Sequence, residues 1–169
     1  MRAKSAGILL HRSNGGELEV LLVHPGGPVW ARRDAGAWSI PKGEYGDGED
    51  PLDAARREFE EELGTPAPES EPLDLGEITQ KSGKRVRAWA LAGDLDATTI
   101  VSNTVEIQWP PRSGRMLEIP EVDRAEWFRL VDTALPSPQD IADEGQEYPL
   151  LSQESYTVKS RSVVIFVAK

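Results

Sequence analysis

The chain has 169 residues, 38% of them hydrophobic, and 29 Asp+Glu against 19 Lys+Arg give a formal net charge of −10. That length suits one domain with a core of its own, and the absence of cysteine excludes a disulfide framework, a zinc–thiolate centre and a cysteine nucleophile. The negative field argues against a nucleic-acid polymer as partner, and the longest uninterrupted apolar run, Val163 to Ala168, is far short of a membrane span.

At the N-terminus, Arg2 and Lys4 are followed only by Ala6-Gly7-Ile8-Leu9-Leu10 before His11 and Arg12, too short and too soon interrupted for a secretion signal. The expected setting is the cytoplasm, with no membrane partner. Ala6 to Arg12 reads as a strand and Leu18 to His24 as its hairpin partner, across Ser13-Asn14-Gly15-Gly16, residues that tolerate positive φ. Pro25-Gly26-Gly27-Pro28 opens a loop holding Trp30, Arg32 and Arg33, and Trp38-Ser39-Ile40 reads as a short strand stopped by Pro41. An acidic, glycine-punctuated loop from Gly43 to Asp50 leads into a helix over Pro51 to Leu63. Asp50 suits its N-cap, Pro51 its first position, Asp53 its positive end and Gly64 its exit. Leu75 to Lys81 and Lys84 to Ala92 form a second predicted hairpin across Ser82-Gly83. Thr104 to Trp109 and Ala125 to Val131 are further strand candidates, the latter also able to start a helix. From Pro136 to Gln153 the chain turns polar and proline-containing, which predicts a loop, and Tyr156 to Ala168 is again strand-like. Such an apolar segment calls for pairing with the sheet or with a second chain, which makes a homodimer one of its outcomes.

The carboxylates carry the functional signal. Between Glu44 and Glu62 stand nine acidic residues and only two basic ones, Arg56 and Arg57. At roughly 100° per residue, with Glu58 at zero, Leu52, Ala55, Phe59 and Leu63 fall between about +60° and +140°, a core-facing stripe. Glu58, Glu61 and Glu62 fall between about −60° and +40°, beside that stripe, whereas Glu60 points away near ~200°. Like charges at such spacing repel, and a hard divalent cation removes the conflict because Mg²⁺ and Mn²⁺ take oxygen ligands. The competing reading is a merely solvated acidic face. Arg57 lies beside Glu61, and Glu49, eight residues earlier, is placed to meet it and fix the loop on the helix. Neither an EF-hand spacing nor a G-x-x-x-x-G-K-[ST] phosphate loop is present.

Gly43, five residues, Glu49, seven residues, then Arg57-Glu58-Phe59-Glu60-Glu61-Glu62-Leu63-Gly64-Thr65 resembles the Nudix box, G-x5-E-x7-R-E-U-x-E-E-x-G-U. Seven specified positions match, Phe59 fits the first bulky apolar site, and Thr65 departs from the last. The lead-in Ala37-Trp38-Ser39-Ile40-Pro41-Lys42-Gly43-Glu44, together with Glu121-Val122 and Glu126-Trp127-Phe128, extends the resemblance to about residues 5 to 133. It implies an α/β (α+β) fold, an α/β/α sandwich around a mixed sheet, in a Nudix domain over 1–133 with 134–169 as a C-terminal loop and strand. The implied reaction is hydrolysis of a phosphoanhydride bond in a nucleoside diphosphate linked to another moiety. The substrate would be a nucleoside triphosphate or a dinucleoside polyphosphate, with a slight lean to the latter from the Arg32-Arg33 loop. Carried onto this chain, the resemblance gives Gly43 (through its carbonyl), Glu58, Glu61 and Glu62 as ligands of Mg²⁺ or Mn²⁺, with Arg57 and Glu49 orienting them. Glu58 is the first candidate for the general base, and Glu118 or Glu121 the fallback. A binding or regulatory module of the same fold, which holds a nucleotide without cleaving it, is the alternative.

In so acidic a chain, basic residues near the box are candidates to contact phosphates. Lys42 abuts Gly43; Arg32 and Arg33 precede it; Lys84, Arg85 and Arg87 lie on the second hairpin; Arg112 and Arg115 flank Ser113-Gly114. Trp30 and Trp38 are candidates to stack on a base, against the commoner core or rim role. His11 and His24, at strand ends, read as structural or exposed.

Overall fold

The computed structural model describes residues 3–14, 17–34, 36–80 and 82–128. The expectations for residues 129–131, 134–169 and the strand-like 156–168 segment lie outside the described residues. The N-terminal hairpin pairs β1 (Lys4–Asn14) with β2 (Glu17–Pro25) antiparallel, from His11 opposite Val20 to Asn14 opposite Glu17. The first half of β1 pairs instead with the short β3 (Lys42–Glu44), Ser5 opposite Glu44 and Gly7 opposite Lys42. This corrects the sequence expectation at two points. Trp38-Ser39-Ile40 makes only an isolated bridge, Ser39 to Val23, and the strand forms after Pro41, running into the stretch from Gly43 expected to be loop. Proline cannot donate to a ladder, so pairing resumes beyond it.

After α1 (Pro51–Leu63) come β4 (Leu73–Thr79) and β5 (Arg85–Ala92). Strand β5 runs parallel to β1, from Lys4 opposite Arg85 to His11 opposite Ala92, and α1 lies in the long connection that such a parallel pair requires. Strand β8 (Val122–Phe128) adds antiparallel to β2, so the mixed sheet has the order β4-β5-β1-β2-β8, with β3 joined to β1. A separate ribbon pairs β6 (Thr104–Gln108) with β7 (Met116–Pro120). The sequence reading anticipated β6 and placed no strand at 116–120.

Side chains alternate across each strand, and the alternation builds two apolar layers. Ala6, Ile8, Leu10, Leu21, Val23, Trp89, Leu91 and Trp127 meet Ala54, Ala55, Phe59 and Leu63 of α1. Val20, Leu22 and Trp38, with Leu9, Ile40 and Phe128, occupy the opposite face. Phe59 and Leu63 are almost wholly buried, each contributing roughly 1.5–3 kcal/mol of apolar burial. That anchoring fixes the rotation of α1 and hence the direction in which its glutamates point. Among the described residues no helix is long and apolar enough to cross a membrane.

Candidate active site

Helix α1 is capped at both ends as its sequence predicts. Asp50 accepts hydrogen bonds from the Leu52 and Asp53 N–H groups at 2.9 and 3.2 Å, a cap contributing about 1 kcal/mol. Gly64 adopts φ 73° and donates to the Glu60 carbonyl at 2.8 Å. The last turn is also held from outside: the Val101 N–H donates to Leu63 O at 3.2 Å and the Asn103 N–H to Glu61 O at 2.8 Å. These bonds satisfy carbonyls that a helix end leaves without intrahelical donors. Asn103 O in turn accepts from the Glu121 N–H at 2.9 Å, so one backbone segment couples the carboxylate-bearing helix to Glu121.

Arg57 organises the exposed side of the helix. Its Nε donates to Glu49 at 3.1 Å, and its Nη1 to Glu58 and Glu61 at 2.7 and 3.0 Å; Nη2 reaches the Glu44 carbonyl at 3.3 Å. The planar guanidinium can serve these acceptors together where a lysine offers a point charge. Its pKa is raised, first by the hydrogen bond to Glu49; burial opposes this, and Glu58 and then Glu61 add to the rise. With Arg57 about 40% exposed, the pairs contribute little to stability; their effect is to hold two carboxylates in place.

Gly43 and Glu62 complete the other side. A Cβ on Gly43 would stand 1.7 Å from Glu58 Oε2 and 2.0 Å from its Cδ, so the Glu58 carboxylate rests against the bare backbone of β3. Glu62 turns inward towards Lys42, and Glu62 Oε2 is out of solvent without a hydrogen-bond partner. Burial pushes its pKa up to about 8, opposed by Lys42 and reinforced by Glu58 and Glu121. Lys42 is shifted down by burial, against the pull of Glu62 and Glu58, so desolvation disfavours charge on both partners. Glu121 is raised by burial and then by Glu58 and Glu61, which identifies it as a further carboxylate facing the group. Among the described residues no three such side chains already form a metal cage: Arg57 draws Glu58 and Glu61 to itself while Glu62 faces Lys42.

The raised Glu62 has a measurable consequence. The folded chain keeps a proton that the unfolded chain releases near 4.5, so this group's contribution to stability is lost as pH rises from about 4.5 to about 8. In metal-free buffer the melting temperature of Glu62→Gln is expected to gain on the parent across that window. The scale is at most a few kcal/mol, at roughly 1.4 kcal/mol per pH unit. A constant difference between the two proteins would contradict the protonated Glu62.

The remaining sequence candidates divide by location. Lys42 Nζ donates to Ser39 Oγ at 3.0 Å, beside the glutamates. Lys84 pairs with Glu44, Arg85 with Glu77 and Arg87 with Asp74, so local carboxylates engage the second hairpin's cations. Arg32 and Arg33 are exposed in the loop after β2, and exposed Arg112 sits at the ribbon tip with φ 64°. Glu118 lies on β7, accepting from Thr104 Oγ1 at 2.6 Å; of the two fallback bases, Glu121 is the one coupled to the box carboxylates. The sequence reading missed Ser39 and Asn103, because a serine and an asparagine carry no signal until the fold sets one against Lys42 and the other against the end of the helix.

A NUDIX domain family model matches residues 1–150. No curated protein matches the sequence. Among solved structures, a MutT/nudix family protein from Enterococcus faecalis aligns at 16% identity and a TM-score of 0.53, over 76% of this chain and 44% of its own length. The present chain therefore spans less than half of that protein. An Ap4A hydrolase from C. elegans in a binary complex aligns at 22% identity and a TM-score of 0.49, over 73% of this chain and 77% of its own. The NUDIX domain of Shewanella oneidensis NrtR, complexed with ADP ribose, aligns at 14% identity and a TM-score of 0.49, over 75% and 72%.

Proposed function

From the premise that this chain belongs to the Nudix family, we propose that it is a divalent-metal-dependent hydrolase of a phosphoanhydride bond in a nucleoside diphosphate linked to another moiety. A nucleoside triphosphate or a dinucleoside polyphosphate is the substrate class. One observation carries the reading: Glu58 and Glu61 are clasped by Arg57, beside Glu62 with its solvent-excluded, unpartnered oxygen.

The donors suit a hard cation, being carboxylate oxygens next to a glycine backbone that leaves them room. Glu58, Glu61 and Glu62 would hold Mg²⁺ or Mn²⁺, with the Gly43 carbonyl as a further ligand. When bound, the ion neutralises charge on the phosphoryl oxygens and acidifies water. The chain's own groups do the rest. Arg57, fixed by Glu49, keeps Glu58 and Glu61 in one orientation. Lys42, between Ser39 and the glutamates, offsets their charge as a polyphosphate approaches. Glu121 is the favoured general base, because burial and neighbouring carboxylates raise its affinity for a proton, whereas Glu58 is already bonded to Arg57 at 2.7 Å. Arg32 and Arg33, exposed in the loop after β2, and Arg112, exposed at the ribbon tip, are the proposed contacts for phosphates beyond the cleaved bond.

A panel of nucleoside triphosphates and dinucleoside polyphosphates, incubated with Mg²⁺ or Mn²⁺ and scored by the phosphates released, tests the proposal. Metal-dependent release of a nucleoside monophosphate or diphosphate is expected. Tight binding without products across the panel would establish the module reading instead.

A further inference from the structure

His24 has no exposed surface, although imidazole is an ordinary surface group, and both of its ring nitrogens are engaged. Nε2 lies 2.8 Å from the carbonyl oxygen of Arg33, and Nδ1 lies 2.7 Å from a carboxylate oxygen of Asp123 on β8. A carbonyl can only accept, so Nε2 donates to Arg33 O, and Nδ1 faces the carboxylate. Trp38 packs edge-on against the ring at 5.3 Å between centroids, and its Nε1 donates to Asp34 at 3.2 Å. Asp34 and Arg124 stand 3.5 Å apart on the same side. One buried ring therefore ties together the end of the 26–34 loop, strand β8 and the segment running on through Ser39 to Lys42 and Gly43.

The other end of that loop is fixed beside the carboxylates. The Gly26 N–H donates to the carbonyl of Glu121 at 3.0 Å, and a Cβ on Gly26 would lie 2.1 Å from Pro120 O. Within the loop, the Ala31 N–H donates to Gly27 O at 3.1 Å and the Arg33 N–H to Trp30 O at 2.7 Å. Clipped at both ends, the loop presents Arg32 and Arg33 to solvent from a root adjoining Glu121.

We propose that His24 is a positioning residue for substrate binding: by bridging Arg33 O and Asp123 it holds the 26–34 loop in the shape that sets Arg32 and Arg33 against the phosphates beyond the cleaved bond. This rests on the hydrolase reading above. Its signature is selective, since a preorganised loop lowers the cost of binding and leaves the carboxylates on α1 untouched.

The test compares His24→Asn and His24→Gln in the full chain, with diadenosine tetraphosphate and Mg²⁺. The glutamine amide reaches the place of Nε2 and keeps the donor to Arg33 O, while the asparagine amide keeps only the donor towards Asp123. Expected are a KM at least tenfold higher for His24→Asn, kcat within about threefold of the parent, and an intermediate KM in His24→Gln, which keeps the Arg33 end of the bridge and loses the Asp123 end. An unchanged KM in His24→Asn, or a fall confined to kcat, would overturn the proposal. Amide exchange supplies a readout that needs no turnover: Ala31 and Arg33 should exchange faster in His24→Asn while residues 54–63 of α1 do not. If the parent cleaves no nucleotide, the hydrolase reading fails, and unchanged exchange at Ala31 and Arg33 is then what overturns the clamp. If His24→Asn does not fold, Asp123→Ala, at the partly exposed end of the bridge, takes its place, with a KM rise expected and an unchanged KM contradicting it.

Discussion

Glu61→Gln is expected to lower kcat by about a hundredfold or more while the chain stays folded. The side chain is 37% exposed and its amide replacement has the same shape. The backbone bond from Asn103 to Glu61 O is indifferent to the substitution, and Arg57 keeps Glu49 and Glu58. Losing one exposed ion pair changes stability by roughly 0–1 kcal/mol. Catalysis depends on the same charge differently, because a divalent ion stabilises the transition state by several kcal/mol and about 1.4 kcal/mol is tenfold in rate. Steady-state rates with Mg²⁺, paired with a thermal melt, separate the two effects. A variant that turns over nucleotides at the parental rate contradicts the assignment.

Gly43→Ala is expected to cost about a hundredfold in kcat/KM without adding or removing a charge. The new Cβ would fall 1.7 Å from one Glu58 oxygen and 2.4 Å from the other. The backbone of β3 cannot retreat easily, because Gly43 is paired with Ala6 in the sheet, so the carboxylate must move and its bond to Arg57 with it. Displacement of a catalytic group by about 1 Å can cost on the order of a hundredfold, and the crowding itself costs about 1–3 kcal/mol of stability. Gly46→Ala is the control: nothing lies within 4 Å of a Cβ there, and activity should stay within about twofold. Equal activity in Gly43→Ala and Gly46→Ala would show that the contact with Glu58 has no functional weight.

These two positions also show what was legible in the sequence. The limits of α1 could be read from Asp50, Pro51 and Gly64, since caps act within a few residues and their chemistry is local. The sorting of glutamates into inward and outward sets followed from helical periodicity, with Phe59 and Leu63 fixing the buried face. The spacing from Gly43 to Gly64 pointed to the family, and the match over residues 1–150 bears that out. The steric reason for a glycine at 43 was not legible, because the contact with Glu58 spans two elements that only the sheet brings together. The same limit hid Glu121's approach to Glu58 and Glu61, made through the backbone of Asn103. Strand β7 was hidden for another reason. Its residues are largely exposed and carry Glu118 between apolar neighbours, so burial writes little pattern into them. His24 read as structural or exposed; it is buried, and its two partners lie nine and 99 residues away.

The central claim is that Glu58, Glu61 and Glu62 gather a divalent cation, and calorimetric titration of Mn²⁺ into the parent and into the Glu58→Gln/Glu61→Gln double variant tests it most directly. Saturable binding in the parent, weakened at least tenfold in the folded double variant, is the predicted result. No binding to the parent, or equal affinity in both proteins, would contradict it.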